Sequence, residues 1–305
     1  MKIYVFSPQG FTTGGIELLH QLCSELNSYE DIDACIWYHY HNGAGIPDVY
    51  KKYGNKFKVT SAPPKDAILI FPESWAFLLN SAQYKDYIKV IYFESVYYYE
   101  KYIPKDQYMV FPENTIFMSQ SWYAYKFLQG SNIDSIFVTD YLNDEFMNPK
   151  LDKPRKRQIL YNPAKGINIT TQIMSRLPEE KFIAIENMTT LEVKELMEES
   201  MLYIDFGNHP GKDRIPREAA MCGCCVITNK QGSAFYYQDV SIPDEYKFDD
   251  NQLDEAISKI THVLDNYDLC KEDFELYRKM IRNEKQGFKI GVIELIDKLK
   301  EIKGE

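Results

Sequence analysis

The sequence lacks several features that would assign a class of protein directly. No stretch approaches the about 18 uninterrupted apolar residues that a membrane-spanning helix requires. No long basic tract is present, and 35 basic against 45 acidic residues give a net charge of −10, a poor match for nucleic acid. The N-terminus has no long apolar stretch of the kind found in signal peptides. We therefore expect a cytoplasmic protein with no nucleic-acid partner.

The six cysteines do not form the pattern of a disulfide framework. Three of them, Cys222, Cys224 and Cys225, crowd into one apolar stretch without a second Cys-x-x-Cys pair or a nearby pair of histidines. This pattern favours buried thiols over a zinc site. The sequence also lacks a Gly-x-Ser-x-Gly elbow, a Walker A lysine motif and a His-Glu-x-x-His motif. No Asp-x-Asp pair follows an apolar strand, so a required metal is not indicated.

Short apolar runs alternate with amphipathic segments along most of the 305 residues. This alternation is typical of a parallel sheet that is covered by helices on both faces. The pattern breaks at residues 148–157, a polar and basic stretch with the composition of a solvated linker. Contact of this stretch with phosphate or anionic lipid is the alternative. Length and this break together predict two α/β domains, at residues 1–150 and 151–305.

Ligands of open parallel sheets bind beyond the carboxyl ends of the strands, so the polar residues that follow each predicted strand deserve inspection. In the first domain, Gly14 and Gly15 precede a helix and let backbone N–H groups approach an anion; a tight turn without a ligand is the alternative. Glu73 and Glu94 each follow an apolar strand. A carboxylate in such a place can act as a general base, or it can simply cap a helix or a turn.

The second domain carries a denser cluster of charged residues. Lys165 stands beside a loop glycine and can pair with a phosphate, or it can be an ordinary surface lysine. Lys212, Arg214 and Arg217 place three positive charges beside the start of a short helix, which suits a diphosphate. Glu218 follows in the first turn of that helix, where it can accept hydrogen bonds from a ribose diol or can interact only with the helix dipole.

Most of the chain resembles GT-B glycosyltransferases, specifically those akin to glycosyltransferase family 4, and the resemblance is strongest in residues 158–240. The run from Pro216 to Ile227 is similar to that family's second-glutamate helix and the strand after it. The resemblance implies that Glu218 binds the ribose of a sugar nucleotide. Lys165 and the glycine after it resemble a Lys-Gly pair of the family, and this likeness implies that the lysine binds the diphosphate.

Two glycine-bearing loops extend the resemblance. The turn that contains Gly14 and Gly15 is similar to the family's glycine loop, which approaches the donor phosphate and the acceptor. Gly232 and Ser233 fall where the family has another glycine loop near the donor.

The sequence also departs from the family pattern. Pro210 stands eight positions before the second glutamate, where the family has a first glutamate that contacts the transferred sugar. His209 and Asp213 are the candidates to replace it. The family's arginine before the lysine is absent as well, and we expect Arg214 or Arg217 to supply that charge.

The resemblance implies a GT-B architecture, with two Rossmann-like domains, a cleft between them and, in many members, a last helix that crosses back onto the first domain. It implies hexosyltransferase-like transfer from a nucleotide diphosphate sugar to a carbohydrate or lipid-linked glycan acceptor. The setting it suggests is the assembly of bacterial surface polysaccharides. It implies a transferase that needs no metal or cofactor and that contacts the membrane peripherally. An inactive binding or scaffold protein and a sugar-nucleotide epimerase are the alternatives. The expected site residues are Glu73, Glu94, His209 and Asp213 for catalysis, and Gly14, Gly15, Lys165, Lys212, Arg214, Arg217, Glu218, Gly232 and Ser233 for the donor.

Overall fold

A computed structural model describes residues 1–10, 12–39, 45–113 and 115–304. The chain divides into two compact units, one formed by Met1–Asp140 with Gln286–Glu305 and the other by Tyr141–Lys285. Relative to the domain ranges predicted from the sequence, residues 141–150 lie in the second unit and residues 286–305 in the first.

The first unit is built on a parallel sheet that has seven strands within the described residues. The strands are β1 (Lys2–Phe6), β2 (Asp33–Tyr38), β3 (Phe57–Val59), β4 (Ile68–Pro72), β5 (Ile88–Phe93), β6 (Thr115–Ser119) and β7 (Ile136–Phe137). Their order across the sheet is β3-β2-β1-β4-β5-β6-β7. The central strand β4 is buried along its whole length, as expected for a strand that has both faces covered.

Among its described residues up to Asp140, this unit has three α-helices: α1 (Gly14–Leu26), α2 (Val96–Tyr102) and α3 (Trp122–Gly130). Each begins at a hydroxyl residue, Thr13, Ser95 or Ser121, whose side chain accepts a hydrogen bond from the first turn. Shorter 3-10 turns lie at Asp48–Tyr53, Glu73–Asn80, Ala82–Tyr84 and Lys105–Gln107. Because α1, α2 and α3 follow β1, β5 and β6, they all start at the carboxyl edge of the sheet.

The second unit contains a parallel sheet with five strands within the described residues. The strands are β8 (Lys156–Tyr161), β9 (Phe182–Ala184), β10 (Ser200–Asp205), β11 (Cys225–Asn229) and β12 (Lys247–Phe248), in the order β12-β11-β10-β8-β9. Together the two sheets confirm the α/β class and the parallel pairing that the alternating pattern predicted.

The helices of the second unit are α4 (Asp144–Met147), α5 (Ile167–Arg176), α6 (Thr190–Glu198), α7 (Arg214–Met221), α8 (Leu253–Asp265) and α9 (Tyr267–Cys270). Short 3-10 turns lie at Gly232–Phe235, Asp244–Tyr246 and Lys271–Phe274. Helix α6 starts with a capping box, in which Thr189 and Glu192 satisfy each other's backbone N–H groups.

The last helix, α10 (Glu275–Lys303), contributes to both units, because the second unit ends at Lys285 and the first resumes at Gln286. Within the first unit, Gly291 lets this helix approach the strand β7. A Cβ atom on Gly291 would lie 2.4 Å from the carbonyl oxygen of Phe137. A larger residue at this position would push the helix away from the sheet.

The basic stretch at residues 148–157 does not behave as the solvated linker that its composition indicated. Lys156 and Arg157 belong to strand β8. Arg155 donates hydrogen bonds to the carbonyl oxygens of Met197, Ser200 and Cys222. The arginine therefore ties the start of β10 to the ends of α6 and α7, and sequence composition alone did not reveal those partners.

The prediction of buried thiols is confirmed. All six cysteines are free and buried. Burial raises the pKa of Cys224 to about 12, so its thiol stays protonated. Within the part of the chain that the structure describes, none of the helices has the length and apolar character needed to cross a membrane.

Candidate functional site

The start of α1 lies at the carboxyl edge of the first unit's sheet, close to the loop after β5. Thr13 Oγ1 accepts a hydrogen bond of 3.3 Å from the backbone N–H of Ile16, so the helix begins at Gly14. A Cβ atom on Gly15 would lie 2.3 Å from Glu94 Oε2. Glycine at position 15 thus allows the Glu94 carboxylate to approach the start of the helix.

Glu73 and Glu94 follow the neighbouring strands β4 and β5, and the structure brings them together. The backbone N–H of Glu94 donates a hydrogen bond of 2.9 Å to Glu73 Oε2. Glu73 is buried, whereas Glu94 is only half-buried. Burial raises the pKa of Glu73 from 4.5 to about 8, although backbone N–H groups that include those of Glu94 and Ser95 act in the opposite direction. Glu73 therefore organises the loop that presents Glu94.

In the second unit, three loops meet at the carboxyl edge of the adjacent strands β8, β10 and β11. Gly166 ends the loop after β8 and has a φ of 61°. It lies so close to the loop after β10 that a Cβ atom at this position would be 2.3 Å from the backbone of Phe206. Gly232, with a φ of 52°, approaches His209 in the same way, at 2.1 Å from its carbonyl oxygen. Both positions need a residue without a Cβ, because the backbone is left-handed and the space is filled by another backbone.

Hydrogen bonds hold these loops against one another. The Ser233 backbone N–H donates to the His209 carbonyl oxygen at 3.0 Å, and its hydroxyl donates to the Gly211 carbonyl oxygen at 2.6 Å. The Asn229 amide, at the end of β11, donates to the carbonyl oxygen of Gly207 at 2.8 Å. Gly232 and Ser233 thus shape the loop that carries His209, and Ser233 uses its hydroxyl for that purpose.

A chain of charged side chains crosses this edge of the sheet. Lys165 Nζ lies 2.7 Å from Asp213 Oδ1, and His209 Nδ1 lies 3.0 Å from Asp213 Oδ2. On its other side, His209 Nε2 lies 3.3 Å from the carbonyl oxygen of Asp205 and 3.7 Å from its carboxylate. His209 is completely buried and adopts a φ of 35°, in the left-handed region. Two residues predicted to be catalytic and one predicted to bind the donor therefore form a single cluster.

The cluster controls the protonation of its members. Burial lowers the pKa of His209, but the carboxylates of Asp205 and Asp213 outweigh it and hold that pKa above the ordinary value. Burial raises the pKa of Asp213, but His209 and Lys165 outweigh it and bring that pKa down to about 2. Asp213 is thus an anion that holds Lys165 in place.

Lys212 and Arg217, both predicted to bind the donor, are enclosed in the structure. Arg217 has no exposed surface, and Lys212 is buried. The guanidinium Nη1 of Arg217 donates to Glu284 Oε2 at 2.7 Å, and Lys212 Nζ lies 2.8 Å from Glu284 Oε1. Both cations thus engage a carboxylate of α10.

Arg214 and Glu218 lie one turn apart in α7 and are both half-buried. The helix begins at Arg214, with Asp213 as the residue that precedes it. The sequence predicted a start at Pro216, so the first turn carries Arg214 inside the helix rather than in the loop before it. These two side chains accompany Lys165 as candidates for direct contact with a ligand.

Two residues of this site were missed from the sequence. Asp205 is the last residue of an apolar strand, which is a signal that could have identified it. Glu284 lies in α10, far along the chain from the loop it binds, and no local pattern marks it.

Three side chains of the second unit are arranged so that they could hold a metal ion. Asp205, His209 and Asp213 each place one potential ligand atom within 4.8 Å of the others. The ammonium group of Lys165 lies on Asp213 at 2.7 Å, and a second cation there would be repelled. The positive group that the structure places on Asp213 is thus Lys165.

No protein-family model and no curated protein sequence matches the chain. Solved structures do match it over its full length. A glycosyltransferase from Rickettsia africae is 14% identical with a TM-score of 0.67, covering 99% of this chain and 98% of that one. A sucrose-phosphate synthase from Thermosynechococcus elongatus is 11% identical with a TM-score of 0.72, covering 99% of both chains. Anabaena Alr3699/HepE, solved in complex with UDP and glucose, is 11% identical with a TM-score of 0.67, again covering 99% of both chains. The chain therefore has the GT-B fold, as the resemblance implied.

Proposed function

We propose that the protein is a glycosyltransferase that uses a nucleoside diphosphate sugar as donor. The observation that carries the proposal is the position of Lys165 at the carboxyl edge of β8, where Asp213, which also contacts His209, holds it beside the first turn of α7. This edge is where parallel α/β sheets bind ligands, and a lysine there meets a diphosphate as a point charge. The fold is shared with structures solved with UDP and with UDP-glucose.

The proposal gives the half-buried charged groups of this site a role. Lys165 and Arg214 contact the diphosphate and stabilise the charge that develops as it departs. Glu218, one turn further in α7, accepts hydrogen bonds from the ribose. Gly232 and Ser233 shape the adjoining loop through their contacts with His209 and Gly211.

The first unit is assigned to the acceptor, a carbohydrate or a lipid-linked glycan. Glu94 is the carboxylate that we propose as the base for the attacking hydroxyl, because it is half-buried and lies against Gly15 at the start of α1. Glu73 acts through Glu94, since its own carboxylate is buried and accepts the Glu94 backbone N–H. Lys165 and Arg214 provide the positive charge, so the proposal requires no metal.

A second candidate function is nucleotide-sugar binding without transfer. Pro210 stands where family 4 glycosyltransferases have a glutamate that contacts the transferred sugar, and this difference favours binding without transfer. A sugar-nucleotide epimerase on the same fold would isomerise the donor with no acceptor present.

Calorimetric titration with UDP, GDP and dTDP, in the presence of EDTA, tests the donor site. We expect one of them to bind the wild type, and Lys165→Ala to weaken binding roughly 10- to 100-fold, because a hydrogen bond to a charged group contributes about 1.5–3 kcal/mol. Glu218→Ala should weaken binding of the same nucleotide.

Lys271→Ala is the matched control. Lys271 pairs with Asp268 at 2.7 Å, as Lys165 does with Asp213, but it lies beside Arg155 and Gly223 at the amino edge of the sheet. We expect the Lys271→Ala variant to bind the nucleotide with the same affinity as the wild type. Absence of binding by all three nucleotides, or equal affinity in Lys165→Ala, would contradict the proposal.

A further inference from the structure

Glu284 joins two buried cations of the donor-site loop to helix α10. One carboxylate oxygen lies 2.8 Å from Lys212 Nζ, and the other accepts a hydrogen bond of 2.7 Å from Arg217 Nη1. All three side chains are buried. A buried ion pair is sensitive to the loss of one partner, because the group that remains is then charged and desolvated.

Arg217 transmits this contact to the backbone of the loop. Its Nε donates to the carbonyl oxygen of Asp213 at 3.1 Å, and its Nη2 donates to the carbonyl oxygen of Lys212 at 3.0 Å. The guanidinium thus binds Glu284 with one nitrogen and two successive loop carbonyls with the others. Its planar fork suits such multiple contacts, and a lysine could not reproduce them.

The same loop backbone carries the partner of Lys165. Asp213 offers its carbonyl oxygen to Arg217 and its carboxylate to Lys165, which lies 2.7 Å away. A continuous set of contacts therefore runs from Glu284 through Arg217 and Asp213 to Lys165. Each step is a charge-assisted hydrogen bond or ion pair, the kind of contact that fixes orientation as well as distance.

We propose that Glu284 is a positioning residue of the donor site, which fixes Asp213 so that Lys165 is held ready for the diphosphate. This inference rests on the function proposed above. Glu284 itself contacts no ligand and acts through Arg217. It precedes Lys285, the last residue of the second unit, in the helix that continues into the first unit. The donor site is therefore fastened to the helix that both units share.

The test is titration of Glu284→Gln with UDP, GDP and dTDP, alone and combined with Lys165→Ala. Glutamine keeps the size of the side chain and removes its charge. We expect the single variant to weaken binding about tenfold, the scale at which a positioning residue modulates a neighbouring site. In the Lys165→Ala background the same substitution should cause no further loss, because it acts through Lys165.

Two further variants keep the test decisive. Glu275→Gln makes the same change in the same helix, at an exposed carboxylate that pairs with Arg278 and Arg282, and it should bind as the wild type does. Arg217→Lys keeps the charge but loses the contacts with the Lys212 and Asp213 carbonyls, and we expect it to weaken binding as Glu284→Gln does. It takes over the test if thermal melting shows that Glu284→Gln does not fold.

The outcomes separate this inference from the proposed function. If Lys165→Ala weakens binding while Glu284→Gln and Arg217→Lys bind as the wild type does, the positioning role is overturned and the donor site stands. If the losses in the double variant simply add, Glu284 acts on the fold as a whole and the positioning role is overturned as well. If the wild type binds none of the three nucleotides, both proposals fall.

Discussion

The carboxylates Glu73 and Glu94 have similar sequence contexts but different surroundings in the folded protein. Each follows an apolar strand, and the sequence therefore predicted a catalytic role for both. The fold buries Glu73 and surrounds its carboxylate with backbone N–H donors, and it leaves Glu94 half-buried against Gly15. Sequence position could identify the pair but could not show which carboxylate is more deeply buried, because that depends on how the two loops pack.

The raised pKa of Glu73 predicts a pH-dependent stability. The folded protein favours the neutral acid, so this contribution is fully present below the ordinary pKa of 4.5 and is lost as the pH rises through about 8. Glu73→Gln removes the titration. We expect the wild type to lose more unfolding free energy than this variant between these pH values, by a difference on the order of 2–4 kcal/mol.

Urea unfolding at a series of pH values measures that difference. The titration of His209 is common to both proteins and cancels in the comparison. Glu113→Gln, at an exposed carboxylate of the same unit, is the control and should follow the wild type. Parallel stability curves for the wild type and Glu73→Gln would show that burial does not hold the proton on Glu73.

The helical spacing around Arg217 could have identified it as a buried residue. In α7 it shares a face with Ala220 and Met221, three and four positions later, and all three are buried. That spacing indicates an inward-facing arginine. Its partner Glu284 could not be inferred, because contacts between distant segments leave no local trace in the sequence.

At the scale of elements, the alternation of strands and helices predicted the parallel sheets and most of their strands. The short strands β3 and β12 were missed, because each contains a lysine and at most two apolar residues, too short an apolar run to recognise. The contacts among the three loops of the second unit were also beyond prediction. The glycines marked these loops as turns, but the backbone atoms they approach belong to other segments.

Those loop contacts predict that alanine substitution costs more unfolding free energy at one left-handed glycine than at another. Gly54 has a φ of 66° with open space around it, whereas a Cβ atom on Gly232 would lie 2.1 Å from the His209 carbonyl oxygen. Gly54→Ala should cost roughly 1–2 kcal/mol, the ordinary penalty of a left-handed residue. Gly232→Ala carries the same penalty, and it must also displace the His209 loop. We expect it to cost at least about 2 kcal/mol more.

Denaturant unfolding of the two variants, followed for the unit that carries each substitution, measures these costs. Gly54→Ala is the matched control, because the backbone angle is similar and only the surroundings differ. Equal losses in the two variants would mean that the loops do not pack as tightly as described.

At the scale of the whole molecule, the match to solved GT-B structures extends over 99% of this chain. The fold is shared at 14% identity or less among the structures compared above, so the chemistry depends on the residues at the strand ends rather than on the fold. Lys165, Arg214 and Glu218 are the residues that we propose to contact a nucleoside diphosphate. Pro210 marks where this chain departs from the family pattern, and it makes turnover the deciding property.

The most direct test is the release of nucleoside diphosphate from UDP-, GDP- and dTDP-sugars, measured with and without a pool of oligosaccharide acceptors. Our account predicts that one donor releases its nucleoside diphosphate, and that acceptor accelerates this release whereas EDTA leaves it unchanged. The Lys165→Ala variant should show no release, and the Lys271→Ala variant should release as the wild type does. Nucleotide binding without release from any donor would contradict it and indicate a binding protein. Isomerisation of the donor sugar without acceptor would contradict it equally and indicate an epimerase.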